Sequence, residues 1–106
     1  MPTKAELYNQ GLDYFAQGKQ DQAIEEFKKA LAIDSRDAEI YMALSMSLQR
    51  RNDMESALEA AQKAVEYNPN EPLFYTNLSR IFVKLGQVPQ AEEAMAMANQ
   101  LSLRRS

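Results

Sequence analysis

The sequence predicts an all-α fold, a stacked array of three helix-turn-helix units. The first observation is a copied helix. "AIEEFKKALAID" (Ala23 to Asp34) returns thirty-four residues later as "ALEAAQKAVEYN" (Ala57 to Asn68). In both, the apolar residues fall on one helical face: Ala23, Ile24, Phe27, Ala30, Leu31 and Ile33, then Ala57, Leu58, Ala61, Ala64, Val65 and Tyr67. The second observation is that the period runs a third time, through Ala91 and Ala98. Repeats of this length mean a stacked array. The third is composition: with only 3 glycines and 4 prolines in 106 residues, helix is favoured over β-structure.

The frame is 4–37, 38–71 and 72–105, with no insertion. In each unit the first helix carries Leu7, Tyr41 or Tyr75, then the small Gly11, Ser45 or Ser79, then Tyr14, Leu48 or Phe82. The small residues let two helix axes approach, and the bulky ones fill the space beside them. The first helix of unit one is expected from Lys4 to Gln17. It ends at Gly18, and its counterparts end at Asn52 and Gly86, the two residue types that best tolerate a left-handed C′ position. Second helices are expected to start near Asp21, Glu55 and Pro89; proline suits a first helical turn because its missing N–H is not needed there. "DSRD" (Asp34 to Asp37) and "NPNEP" (Asn68 to Pro72) separate the units.

Charge and composition narrow the function. Twelve basic and fifteen acidic residues give a net charge of −3, which argues against nucleic acid, where affinity comes mostly from neutralising phosphates. No polybasic run points to a membrane surface, and no apolar run approaches the ~18 residues of a span or resembles a signal peptide. A cytoplasmic protein is expected. With no cysteine there is no disulfide framework or thiol chemistry. With no histidine either, the commonest general base is missing. Paired carboxylates such as Glu25-Glu26 and Glu92-Glu93 lie on second helices, where they read as solvated surface. No phosphate loop is present. The chain is read as a non-enzyme with no cofactor and no metal site.

These motifs resemble the tetratricopeptide repeat family, in three consecutive units across nearly the whole chain. The family's large-small-aromatic signature stands as Leu7-Gly11-Tyr14, Tyr41-Ser45-Leu48 and Tyr75-Ser79-Phe82. Its Ala-aromatic-Ala signature stands as Ala23-Phe27-Ala30, degraded to Ala57-Ala61-Ala64 and Ala91-Met95-Ala98. The repeat-end proline survives only as Pro69. The resemblance implies an α-solenoid of six antiparallel helices in a right-handed superhelix with a concave groove. A generic bundle with coincidental spacing, and the helical repeats that read single-stranded RNA, fit less well.

A second stripe on the first helices is Glu6, Gln10, Asp13, Gln17 in unit one, Ile40, Leu44, Ser47, Arg51 in unit two, and Phe74, Leu78, Ile81, Leu85 in unit three. It becomes apolar where a preceding unit exists to cover it. On the second helices, Ile24 with Leu31 and Leu58 with Val65 face the next unit, and Glu92 with Asn99 replace them at the end. Polar terminal faces keep arrays soluble, so a complete three-unit array is expected. "LSLRRS" is too short for a separate capping helix, so apolar surface near Val88, Met95 and Leu101 is expected to stay exposed.

A third stripe faces neither the partner helix nor the preceding unit, and the resemblance places it on the groove. Its candidate partner-binding residues are Tyr8, Leu12, Phe15, Met42, Met46, Arg50, Leu73, Thr76, Asn77, Arg80, Val83 and Lys84. A merely solvated face would be rich in Glu, Lys and Gln; an apolar one marks a binding site. The methionines suit an adaptable surface, and Arg50, Arg80 and Lys84 form a positive rim. Family members that bind chaperone tails clamp a terminal carboxylate with Lys, Asn, Asn, Lys and Arg. The matching positions here are Tyr8, Leu12, Ala43, Leu73 and Asn77, and none supplies the clamp residue. The expected function is a protein–protein interaction module, an adaptor or scaffold binding a peptide or helix with apolar anchors. The alternative is a self-assembly module that forms homo-oligomers through the groove or the uncapped last helix.

Overall fold

The computed structural model describes residues 1–105. Its elements are six α-helices: α1 Lys4–Ala16, α2 Gln20–Ile33, α3 Ala38–Arg50, α4 Met54–Tyr67, α5 Pro72–Lys84 and α6 Val88–Arg105. No strand occurs among the described residues. The second helices begin one residue before their expected starts, so Pro89 occupies the second position of α6.

Local chemistry sets each boundary. Thr3 opens α1 with a reciprocal cap: its hydroxyl accepts from the Glu6 amide at 3.1 Å, and the Glu6 carboxylate accepts from the Thr3 amide at 3.2 Å. Asp37 and Asp53 accept from the Ile40 and Ser56 amides. All three first helices end in the same turn. Gly18, Asn52 and Gly86 have φ of 77°, 65° and 77°. The following amides of Lys19, Asp53 and Gln87 each donate back to Tyr14, Leu48 and Phe82 carbonyls at 2.9 Å. This six-to-one bond, with the shorter five-to-two bond from the left-handed residue, satisfies carbonyls that a helix end leaves open.

These turns fold α1 onto α2, α3 onto α4 and α5 onto α6. The pairs then stack: α3 packs on α2 and touches α1, and α5 packs on α4 and touches α3. The buried core runs through these seams. Ile40, Leu44, Phe74, Leu78 and Ile81 are buried, whereas Glu6, Gln10, Asp13 and Gln17 in the same register of α1 are exposed. Arg51 adds an ion pair across the first seam, Nε to Asp21 Oδ1 at 3.1 Å.

Inside each pair the small position does different work. Ser45 Oγ donates to the Ala57 carbonyl at 2.9 Å and Ser79 Oγ to the Ala91 carbonyl at 2.8 Å. Gly11 has no hydroxyl, and there the Phe27 ring fills the interface.

One expectation is corrected. Leu101 is buried, at 5% exposure, because it continues the stripe of Ala91, Ala94 and Ala98 that faces α5. The last residues lengthen α6 instead of leaving it short, and Arg105 Nη2 ties its end to the Asn70 carbonyl and to Glu71 Oε2. Val88 and Met95 do remain exposed.

Candidate functional site

The first helices α1, α3 and α5 lie side by side, and two recesses open along their shared face. The first, about 190 Å³, is lined by Tyr8, Leu12 and Phe15 of α1 and by Glu39, Met42, Ala43 and Met46 of α3. The second, about 220 Å³, is lined by Met46, Gln49 and Arg50 of α3 and by Arg80 and Lys84 of α5. Met46 belongs to both, so the two recesses adjoin along this face.

The apolar recess is held from beneath. Tyr8 packs its ring, tilted, 6.0 Å from that of Phe27, a fully buried core residue. Phe15 is covered by the Arg50 guanidinium, 4.1 Å from the ring centroid, a cation–π contact that bridges α1 and α3. Met42 and Met46 are half-buried and present unbranched, polarisable side chains. Glu39 places a carboxylate at this end. Burial, then the charges of Glu39 and Asp37, push the Tyr8 hydroxyl above its ordinary pKa, so it stays a neutral donor and acceptor.

The basic recess has a different floor. Gln49 Nε2 donates to Asn77 Oδ1 at 2.8 Å, and Asn77 Nδ2 donates to Ser45 Oγ at 3.2 Å. Through Ser45 and the Ala57 carbonyl, this chain of hydrogen bonds joins α5 to α3 and α4.

Of the twelve candidate residues, eight line the two recesses: Tyr8, Leu12, Phe15, Met42 and Met46, with Arg50, Arg80 and Lys84 beside them. Leu73 (65% exposed) and Val83 (59% exposed) stand on α5 outside both, and the Thr76 hydroxyl turns back to the Pro72 carbonyl. Asn77 requires a correction: it is 1% exposed and belongs to the seam between units, not to an open groove. Its register explains this. Asn9, Ala43 and Asn77 are equivalent positions; the first is exposed, whereas the other two meet the first helix of the preceding pair. Glu39 and Gln49, which line the groove, were visible in the same stripe but carry no apolar signal by which to single them out.

No group of three or more His, Cys, Asp or Glu residues that could hold a metal ion occurs among the described residues. Among them, no helix is long and apolar enough to cross a membrane.

Two family models match the chain, one described as TPR repeat over residues 11–45 and one as tetratricopeptide repeat over residues 48–101. Photosystem I assembly protein Ycf3 of Synechococcus sp. (strain CC9605) is 27% identical over 86 residues, which is 78% of this chain and 50% of that protein. The chain thus spans half the length of this curated relative. Among solved structures, MamA superposes with a TM-score of 0.89 at 26% identity, covering 92% of this chain and 57% of MamA. PcrH in complex with the chaperone binding region of PopB superposes with a TM-score of 0.90 at 26% identity, covering 95% of this chain and 82% of PcrH. The second TPR of Spaghetti (RPAP3), bound to an HSP90 peptide, reaches 0.89 at 18% identity, a likeness of fold, covering 93% of this chain and 92% of that one. The repeated helix pairs, the shared turns and these matches agree: the chain belongs to the tetratricopeptide repeat family.

Proposed function

We propose that the chain is a protein–protein interaction module, read in the frame 4–37, 38–71 and 72–105, that holds a segment of another protein in the α1/α3/α5 groove. The observation that carries this reading is the apolar recess of Tyr8, Leu12, Phe15, Met42 and Met46, which opens to solvent among the described residues. Such a recess accepts an aliphatic or aromatic anchor, and desolvated anchors dominate interface energy. The complex of PcrH with the chaperone binding region of PopB supports the reading, since that structural neighbour is seen with a segment of another protein. A chaperone tail held by a terminal-carboxylate clamp is not the proposed ligand. Tyr8, Leu12 and Leu73 offer no charged donor, and Ala43 and Asn77 are buried.

Peptide display on the wild-type chain tests this. Selected peptides should contain a large apolar residue and should lose binding to Met42→Glu/Met46→Glu. Peptides that bind the two proteins equally would overturn the groove assignment.

A second reading, assembly of copies through α6, has one observation in its favour. Among the described helices α6 packs on α5 and on no other, and it exposes Val88, Met95 and Met97. Light scattering across a concentration series tests it: growth in mass that Met95→Glu/Met97→Glu abolishes would support assembly, and a constant monomer mass would exclude it.

A further inference from the structure

The basic recess carries cations that enter no ion pair among the described residues. Arg50 closes α3, and Arg80 and Lys84 lie one turn apart on the end of α5. Among the described residues the ion pairs involve Lys4, Lys29, Arg51, Lys63 and Arg105, and none of the three recess cations. This occurs in a chain where acids outnumber bases by fifteen to twelve. Arg80 and Lys84 are moreover a like-charge i,i+4 pair, an arrangement that slightly destabilises a helix. The helix dipole accounts for a cation in the last turn of α3 and of α5, hence for Arg50 and Lys84. It does not account for Arg80, nor for three cations from two helices converging on one recess.

The recess is also preorganised. Stacking on Phe15 holds the Arg50 guanidinium while using none of its N–H donors. Gln49 commits its amide hydrogens to Asn77 Oδ1 and to Ser45 Oγ at 3.4 Å, so it braces the floor and leaves binding to the cations. The opposite end of the groove carries Glu39. A ligand therefore meets negative charge at one end and unpaired positive charge at the other.

We propose that the Arg50/Arg80/Lys84 recess is an anion subsite that takes one carboxylate or phosphate group of the partner segment. The proposal rests on the groove reading above: the same segment fills the α1/α3 recess with its apolar anchor. The recesses sit one first-helix step apart and share Met46. Packed helices are spaced about 8–10 Å and an extended chain advances about 3.3 Å per residue. The anionic group thus falls about three residues from the anchor.

Two measurements test the subsite. In the first, the isotopically labelled chain is titrated with inorganic phosphate and, separately, with acetate, each against sodium chloride at matched ionic strength. Saturable shifts at Arg50, Arg80 and Lys84 that vanish in Arg80→Gln/Lys84→Gln are expected. Shifts equal to those with chloride, or unchanged in the variant, overturn the proposal. In the second, displayed peptides are selected on the wild-type chain. An acidic residue should recur about three positions from the apolar one, and its change to Ser should weaken binding about tenfold. Phosphoserine at that position distinguishes the sources: tighter binding than the acid marks a phosphate site, and weaker binding a carboxylate site. Groove-dependent peptides with no recurring acid would sink the subsite and leave the groove reading standing. Phosphate binding without any peptide that depends on Met42 and Met46 would do the reverse.

Discussion

Phe27 lies directly against the backbone of Gly11: a β-carbon placed on Gly11 would stand 2.7 Å from Phe27 Cδ1, and closer still to Cε1. The ring is fully buried and packs against Tyr8, so it cannot retreat freely. Gly11→Ala should therefore cost about 1–3 kcal/mol, the range for overpacking a core. Phe27→Leu in the same chain should recover part of the loss. Gly18 is a different case, with open space around it but φ of 77°. Gly18→Val should cost about 1–2 kcal/mol of left-handed strain, while Gly18→Asn should be mild, since Asn52 already makes the equivalent turn. Urea unfolding of the four variants checks both.

The seams between units predict an asymmetry. Leu44 is buried against the first pair, while Gln10 occupies the same register of α1 and is exposed. Leu44→Ala should cost about 2–5 kcal/mol, and Gln10→Ala should stay within about 0.5 kcal/mol. Equal losses of melting temperature would contradict the stacking order.

Asn77 is the centre of a buried relay, accepting from Gln49 and donating to Ser45. Asn77→Ala should cost about 1–3 kcal/mol by leaving partners unsatisfied. Asn77→Asp should be worse at neutral pH and recover as pH falls, because a protonated carboxyl can still donate to Ser45. Thermal melts of both variants at two pH values decide this.

The ends of the first unit are tied by Lys4, whose Nζ lies 2.9 Å from both Asp34 Oδ2 and Asp37 Oδ2. The hydrogen bond from Lys4, with the Arg36 amide second, holds the Asp34 carboxyl below its ordinary 3.8. Its stabilisation is therefore fully present above that value and lost as pH falls through the lower folded-state pKa. Lys4 is raised above 10.5 by Asp34 and then Asp37, so its share is present below 10.5 and lost as pH rises through the folded-state value. The groups are only partly buried and the effect is small. Lys4→Met should lower the melting temperature slightly at neutral pH, and the difference from wild type should close well below 3.8. A gap that persists in acid would show that the ion pairs are not its source.

Groove kinetics should separate anchors from rim. Against a selected peptide, Tyr8→Ala and Leu12→Ala should speed dissociation, because they remove desolvated contact. Reversing Arg80 and Lys84 to Glu should slow association and flatten its salt dependence, and should speed dissociation only of peptides that carry the acidic residue. Stopped-flow measurements across ionic strength check this. A dissociation rate indifferent to Tyr8 and Leu12 would reverse the ranking of the groove residues.

Much of this molecule is legible in one dimension. A period of thirty-four residues, copied without insertion, determines which residues are equivalent, and equivalence alone locates the helices, the left-handed turns and the packing stripes. That works because each unit repeats the same local problem: small residues where axes meet, Gly or Asn where the chain reverses, apolar residues where a neighbour covers them. The period cannot say what a neighbour does to a given stripe. Asn9 and Asn77 are the same residue in the same register, yet one meets water and the other lies buried beneath Gln49, because α5, unlike α1, has a first helix before it. Spacing alone leaves Leu101 exposed, whereas the length of α6 carries its stripe along α5 and buries it. The groove likewise exists only through contacts distant in the chain: Arg50 reaches back to Phe15, and Lys84 and Arg80 meet Arg50 from another helix. Sequence spacing specifies what each helix offers, and the stacking of one pair on the next decides which of those offers remain open to a ligand.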